Sequence, residues 1–171
     1  NRKNKQLTAN FNNNEQKVLN YDKLILATGS VVEPIANFNL QQLNYSTIKS
    51  ISDYIKISDY LKINKVKNIS IIGAGYTGLE IAETLNNAGY NINLFDKLGE
   101  PLSYYGTEIS NYVKDKLSEM NIQFWGNSEN LSCVCSDNRI KFIKINGRSV
   151  ETDYVIQTTG VKPNNTLAVG A

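Results

Sequence analysis

The stretch "ISIIGAGYTGLE" (69–80) decides the reading of this chain. A short, mostly apolar run, Ile69–Ile72, precedes Gly73, Gly75 and Gly78 at G-x-G-x-x-G spacing, and a helix-like segment follows. Gly73 permits a tight strand-to-helix turn. Gly75 lets the backbone approach a phosphate with no Cβ in the way, and Gly78 lets the helix pack closely on a sheet. Free N–H groups and the positive end of the helix dipole then favour an anion at that spot.

Context strengthens the motif. Leu79, Ala82, Leu85 and Gly89 fall on one helix face, with Gly89 as the stop, and "YNINLFD" (90–96) reads as a second strand. This is β–turn–α–β within about 30 residues. Asp96 closes the second strand 18 residues after Gly78, where a carboxylate accepts hydrogen bonds from both hydroxyls of an adenosine ribose; the competing reading is an ordinary loop acid. A carboxylate there repels a 2′-phosphate, which favours NADH over NADPH, while Lys97 beside it blunts the preference. Glu80 stands in the first turns of the helix, where interaction with the dipole and a functional role are both open readings.

Outward from this unit, Ile109, Val113, Leu117 and Met120 mark a helix over 106–121, and "IQFW" (122–125) a third parallel strand. "LSCVC" and "RIKFIKINGRSVE" alternate, with turn signals at Ser136–Asn138 and Asn146–Gly147, as in an antiparallel meander. "DYVIQTTG" (153–160) returns as an apolar strand. Upstream, Ile48, Ile51, Ile55 and Leu61 suggest a helix over 48–63, and 31–44 a loop with Pro34. Leu24–Leu26 suggest a short buried strand stopping at Gly29, and the polar, Asn-rich residues 1–15 a strand or turn.

Bulk properties narrow the function. The 171 residues are 41% hydrophobic and 20% charged, an ordinary globular composition. A net charge of +2 with scattered lysines gives no argument for nucleic acid. No apolar run reaches the ~18 residues of a membrane span and no signal-peptide pattern opens the chain, so the expected compartment is the cytoplasm. There is no His, so any chemistry runs on a cofactor or on residues outside this chain. Residue 1 is Asn and the single Met is Met120, as in a piece of a longer protein. Cys133 and Cys135 point to one face of a strand, but two thiols without a His partner make a poor metal site. They are read as packed, reduced thiols; no metal site and no catalytic residue is assigned.

Three motifs stand in one order: "YDKLILATGS" (21–30), "IIGAGYTGLEIAETLNNAGYNINLFD" (71–96) and "DYVIQTTGVKPNNTLA" (153–168). The chain resembles the pyridine nucleotide-disulfide oxidoreductases, and "EPLSYYGTEIS" and "GVKPN" resemble the NADH oxidase, NADH peroxidase and coenzyme A-disulfide reductase group. The resemblance implies an α/β, Rossmann-like FAD/NAD(P)-binding fold with a central parallel sheet, helices on one face and the meander on the other. It implies that Gly73, Gly75, Thr77 and Gly78 hold the NADH pyrophosphate. Tyr76 gates the nicotinamide pocket, Glu80 lies near nicotinamide and flavin, and Asp96 takes the ribose. Tyr105 covers the adenosine end, and Gly160 lies beside the nicotinamide. Ala27, Thr28, Gly29 and Ser30 match the stretch lying against FAD, and Lys49 falls near a position where the family usually has an Arg touching that cofactor. Thr77 replaces the usual Ile. Without those motif positions Tyr76 and Tyr105 read as half-buried surface aromatics.

The resemblance further implies an FAD-dependent, homodimeric parent enzyme passing hydride from NADH to flavin. Residues 1–47 would be a remnant of its FAD-binding domain plus linker, and 48–171 its NAD(H)-binding domain. The family's first G-x-G-x-x-G and redox-active Cys are not in these residues, so the chain alone is expected to bind small-molecule dinucleotides without turnover. Two other readings are a stand-alone NAD(H)-binding regulatory module and a glycine turn that binds FAD itself.

Overall fold

The computed structural model describes residues 1–39 and 41–170; Leu40, within the expected loop over 31–44, and Ala171 lie outside the described residues. Along the chain run strands β1 (Gln6–Asn10), β2 (Gln16–Asn20), β3 (Ser30–Val32) and β4 (Tyr45–Thr47), then helix α1 (Ile51–Ile63), β5 (Asn68–Ile72), α2 (Tyr76–Asn87) and β6 (Asn91–Phe95). A 3-10 turn at Ser103–Tyr105 precedes α3 (Thr107–Glu119) and β7 (Gln123–Trp125). The meander β8 (Ser132–Ser136), β9 (Arg139–Ile145) and β10 (Arg148–Glu151) follows, then β11 (Tyr154–Gln157), β12 (Val161–Pro163) and the short α4 (Thr166–Val169). The chain divides into two compact units, 32–160 and 1–31 with 161–171.

In the larger unit five parallel strands stand in the order β4-β11-β5-β6-β7. Alternation along the strands sends side chains to two faces. Ile69, Ile71, Ile92, Leu94, Tyr154 and Ile156 pack against helix residues such as Ile57, Leu61, Ala82 and Leu117. Ile72, Phe95, Val155 and Tyr45 pack instead against Ile140, Ile143, Ile145 and Val150 of the meander. The expected layers are therefore present: helices, parallel sheet, antiparallel meander. Positive φ at Asp137 and Asn138, and at Asn146 and Gly147, makes the two meander hairpins. The buried Asn44 clips the layers together, its side chain donating to the carbonyls of Ile140 (2.8 Å) and Asp153 (2.9 Å) and accepting from the Ile140 N–H (2.8 Å).

Of the stripe expected around α1, Leu61 is buried and Ile48, ahead of the helix, packs against the core, while Ile51 and Ile55 are 79% and 51% exposed and Ile57 is buried in their place. Ile57 and Leu61 are four residues apart, one helical turn, and contact with the sheet selects that pair over Ile51 and Ile55. In α3 Leu117 is buried, Val113 and Met120 pack at the core's edge, and Ile109 is exposed.

In the smaller unit β1 and β2 form an antiparallel hairpin, with Leu7 opposite Leu19, and β12 pairs with β3. The buried strand expected at Leu24–Leu26 does not form; Ile25 is 90% exposed. A hairpin and one short strand pair offer no sheet face to enclose an apolar run. Thr28 and Gly29 are instead tied to Asn164: the Thr28 hydroxyl donates to the Asn164 carbonyl, and the Asn164 N–H donates to the Gly29 carbonyl (2.9 Å).

Candidate functional site

A cleft of about 450 Å³ opens at the carboxyl ends of the parallel strands, the usual place for a ligand in an open α/β sheet. Gly73 and Gly75 follow β5, Asp96 follows β6, and Thr158–Gly160 follow β11; all line it. Backbone hydrogen bonds lock these ends together. The Gly73 N–H donates to the Phe95 carbonyl (2.7 Å), the Thr158 N–H to the Ile72 carbonyl (2.8 Å), and the Asp96 N–H to the Trp125 carbonyl (3.0 Å).

The three glycines of the turn differ in what requires them. Gly73 has φ +114° and a Cβ there would lie 2.8 Å from the Thr158 carbonyl oxygen. At Gly78 a Cβ would lie 1.8 Å from the Gly73 carbonyl oxygen. Both are dictated by the chain's own packing. Gly75 is not: its backbone is extended (φ −80°, ψ −174°), and a Cβ would meet nothing within 4 Å. Its bare surface faces open space at the start of α2. That helix has no side-chain cap and no acid in its first turn, whereas α1 begins with a Ser50–Asp53 capping box. An uncapped helix start beside an unobstructed glycine fits a phosphate-bearing group.

Asp96 stands across the turn. Its Oδ2 accepts from the Ala74 N–H (2.6 Å) and its Oδ1 from the Leu98 N–H (2.8 Å). Each oxygen keeps a further lone pair for an incoming hydroxyl. Of the other expected residues, Gly160 lines the same cleft with φ +100°. Thr77 is exposed at the second position of α2. Tyr76 and Tyr105 meet edge to face at 5.2 Å between ring centroids, and a hydrogen bond to Tyr105 pushes the Tyr76 phenol above its ordinary value. It is Tyr104, next to Tyr105, that lines the cleft.

Glu80 points elsewhere, lining a separate apolar groove between α1 and α2 with Tyr54, Ile57 and Leu85. Lys49 precedes α1, its backbone N–H donating to Asp53 Oδ2 (2.9 Å), and it does not line the cleft. Ala27, Thr28, Gly29 and Ser30 lie in the smaller unit.

The motif reading misses several cleft residues. Thr158 braces the turn, its hydroxyl donating to the Gly73 carbonyl (2.9 Å), and Ser128 and Glu129 follow β7. The available signal was positional: these residues come directly after apolar strand runs, where strand ends gather at a ligand site. Among the described residues no cluster of three or more potential metal ligands occurs, and no helix is long and apolar enough to cross a membrane.

Comparison with known proteins places the geometry. An NADH oxidase of Lactococcus lactis is 30% identical over 169 residues, covering 96% of this chain but 37% of its own length. The water-forming NADH oxidase of Lactobacillus brevis, solved with NADH bound, superposes with a TM-score of 0.86 at 25% identity, covering 99% of this chain and 38% of that one. A NAD-dependent persulfide reductase of A. fulgidus gives a TM-score of 0.90 at 26% identity over 99% of this chain and 31% of that one. This chain thus spans about a third of the length of such relatives. The family described as pyridine nucleotide-disulphide oxidoreductase matches residues 1–171. Sequence match, layer order and the cleft agree, and the chain belongs to the pyridine nucleotide-disulphide oxidoreductase family.

Proposed function

We propose that this chain is the NADH-binding part of an FAD-dependent oxidoreductase of the NADH oxidase type, working in the cytoplasm within a homodimeric parent. The observation that carries the reading is Gly75. It is a glycine that the chain's own packing does not require, at an uncapped helix start. Asp96 lines the same cleft.

In this reading the pyrophosphate lies against Gly73–Gly78, held by first-turn amides of α2 and by the helix dipole. The Asp96 carboxylate, held in place by the Ala74 and Leu98 amides, accepts from the ribose hydroxyls and disfavours a 2′-phosphate. Lys97, exposed beside it, softens that discrimination. Gly160 leaves room for the nicotinamide, and the Tyr76–Tyr105 pair closes over the bound dinucleotide. Glu80 faces the α1–α2 groove and serves the flavin side. Bound together, nicotinamide and flavin supply the hydride donor and acceptor; the chain's share is to position the ring and exclude water.

Residues 1–47 are the piece of the FAD domain and its linker, with Ala27–Ser30 toward FAD, and Lys49 just beyond them also faces that cofactor. Residues 48–171 are the NADH-binding portion. The relatives' naming supports this assignment. The test is calorimetric titration of the chain with NADH and with NADPH, its visible absorbance recorded first. Colourless protein that binds NADH more tightly, and loses that binding in Asp96→Ala, is the expected result. Protein purified yellow, or binding neither nucleotide, overturns the reading.

A further inference from the structure

The meander holds a second chemical feature that the dinucleotide reading does not use. Residues i and i+2 of a strand point to one face, with Cα atoms about 6.6 Å apart, near the upper limit for a disulfide. At Cys133 and Cys135 the strand departs from that regularity. Val134 pairs with Phe142 but Cys135 with Ile140, so Lys141 of β9 is an extra residue and the ladder shifts register between the two positions. Such a bulge twists and bends the pair locally. The sulfurs lie 3.6 Å apart.

The surroundings treat the two thiols differently. Cys133 is half-buried and its S–H donates to the Asn37 carbonyl (3.2 Å). Cys135 is exposed. Gln42, only 8% exposed, directs its amide N–H toward both sulfurs, at 2.8 Å from Cys135 and 3.9 Å from Cys133. Burial and the Cys133 sulfur push the Cys135 thiol up, and the Gln42 hydrogen bond acts the other way. One sulfur is therefore reachable from solvent, and its neighbour stands behind it within reach.

We propose that Cys133 and Cys135 form a redox-active dithiol that reacts with low-molecular-weight disulfides and closes to an intrachain Cys133–Cys135 bond. The Cys135 thiolate attacks one sulfur of R–S–S–R. That S–S bond breaks, one RS⁻ leaves and takes up a proton, and Cys135 carries the mixed disulfide. Cys133, deprotonated, then attacks the Cys135 sulfur and expels the second RS⁻, which takes up the other proton. Two cysteine thiols are oxidised and one external disulfide is reduced to two thiols. The proposal is independent of the dinucleotide reading.

The test incubates the reduced 171-residue chain with excess oxidised glutathione, quenches with acid and reads intact mass. The expected product has lost two hydrogen atoms, carries no glutathione and has no titratable thiol. Cys133→Ser should stop at one stable glutathione adduct, and Cys135→Ser should react about tenfold more slowly than Cys133→Ser. Wild-type protein that keeps one or two adducts, links between chains or does not react overturns the proposal. The wild-type mass decides this even if a serine variant fails to fold.

Discussion

The Asp96 carboxylate accepts a 2.6 Å hydrogen bond from the Ala74 N–H, joining the end of β6 to the middle residue of the glycine turn. A single acid thus fixes the shape of the turn and stands at its open side. Asp96→Ala should act twice. Loss of a charged acceptor for two backbone amides should destabilise the fold by about 1–3 kcal/mol in urea unfolding. NADH affinity should fall about tenfold to hundredfold by calorimetry, with a smaller loss for NADPH.

Gly75 and Gly78 should part company when each becomes alanine. In Gly78→Ala the new methyl meets the Gly73 carbonyl at 1.8 Å, and thermal unfolding should report a loss of about 3 kcal/mol or more. Gly75→Ala meets nothing within 4 Å and should stay within about 1 kcal/mol of wild type, yet lose NADH binding in the same titration. Equal stability losses in the two variants would refute the division of roles.

Asn44→Ala removes the clip between meander and sheet and leaves the Ile140 amide and two carbonyls unpaired. Urea unfolding should show a loss of about 4 kcal/mol, since each buried orphan costs about 1–3 kcal/mol. The meander amides should lose hydrogen-exchange protection before those of β5.

Alkaline pH should weaken the fold through Tyr45. Burial pushes its phenol up to about 12 from an ordinary 10.0, with hydrogen bonding at Ile35 acting the other way. The hydroxyl donates to Gln157 Oε1. Below pH 10 both folded and unfolded chains are protonated and the contribution is complete. Between pH 10 and pH 12 only the unfolded chain ionises, so stability falls with rising pH, by about 3 kcal/mol at most. Tyr45→Phe should flatten this part of a urea-midpoint series against pH. Tyr154, also raised by burial, leaves a residual slope in that variant.

Legibility followed periodicity and motif spacing. Ile69–Ile72, the glycine turn, "YNINLFD" and the meander turns were readable because local pattern and tertiary context agree there. Leu24–Leu26 misled because an apolar run specifies burial only where a partner surface exists. The burial of Ile57 rather than Ile51 and Ile55, the Asn44 clip and the short Sγ–Sγ distance were not readable. Each depends on contacts between residues far apart in sequence, or on a register shift that composition does not encode. At the site, Gly73, Gly75, Asp96 and Gly160 were legible as one cleft, whereas Thr158 and Tyr104 had only their position after strands and beside a motif residue to mark them.

The strand order β4-β11-β5 has a consequence for the order in which the sheet is assembled. Tyr45 lies opposite Val155, so β4 leaves the ribosome some hundred residues before the strand that sits beside it. β5, α2, β6, α3 and β7 can condense by short-range closures as they are made. β4 has no strand beside it until β11 slides in between it and β5, and that late, long-range closure should be the slow step in folding.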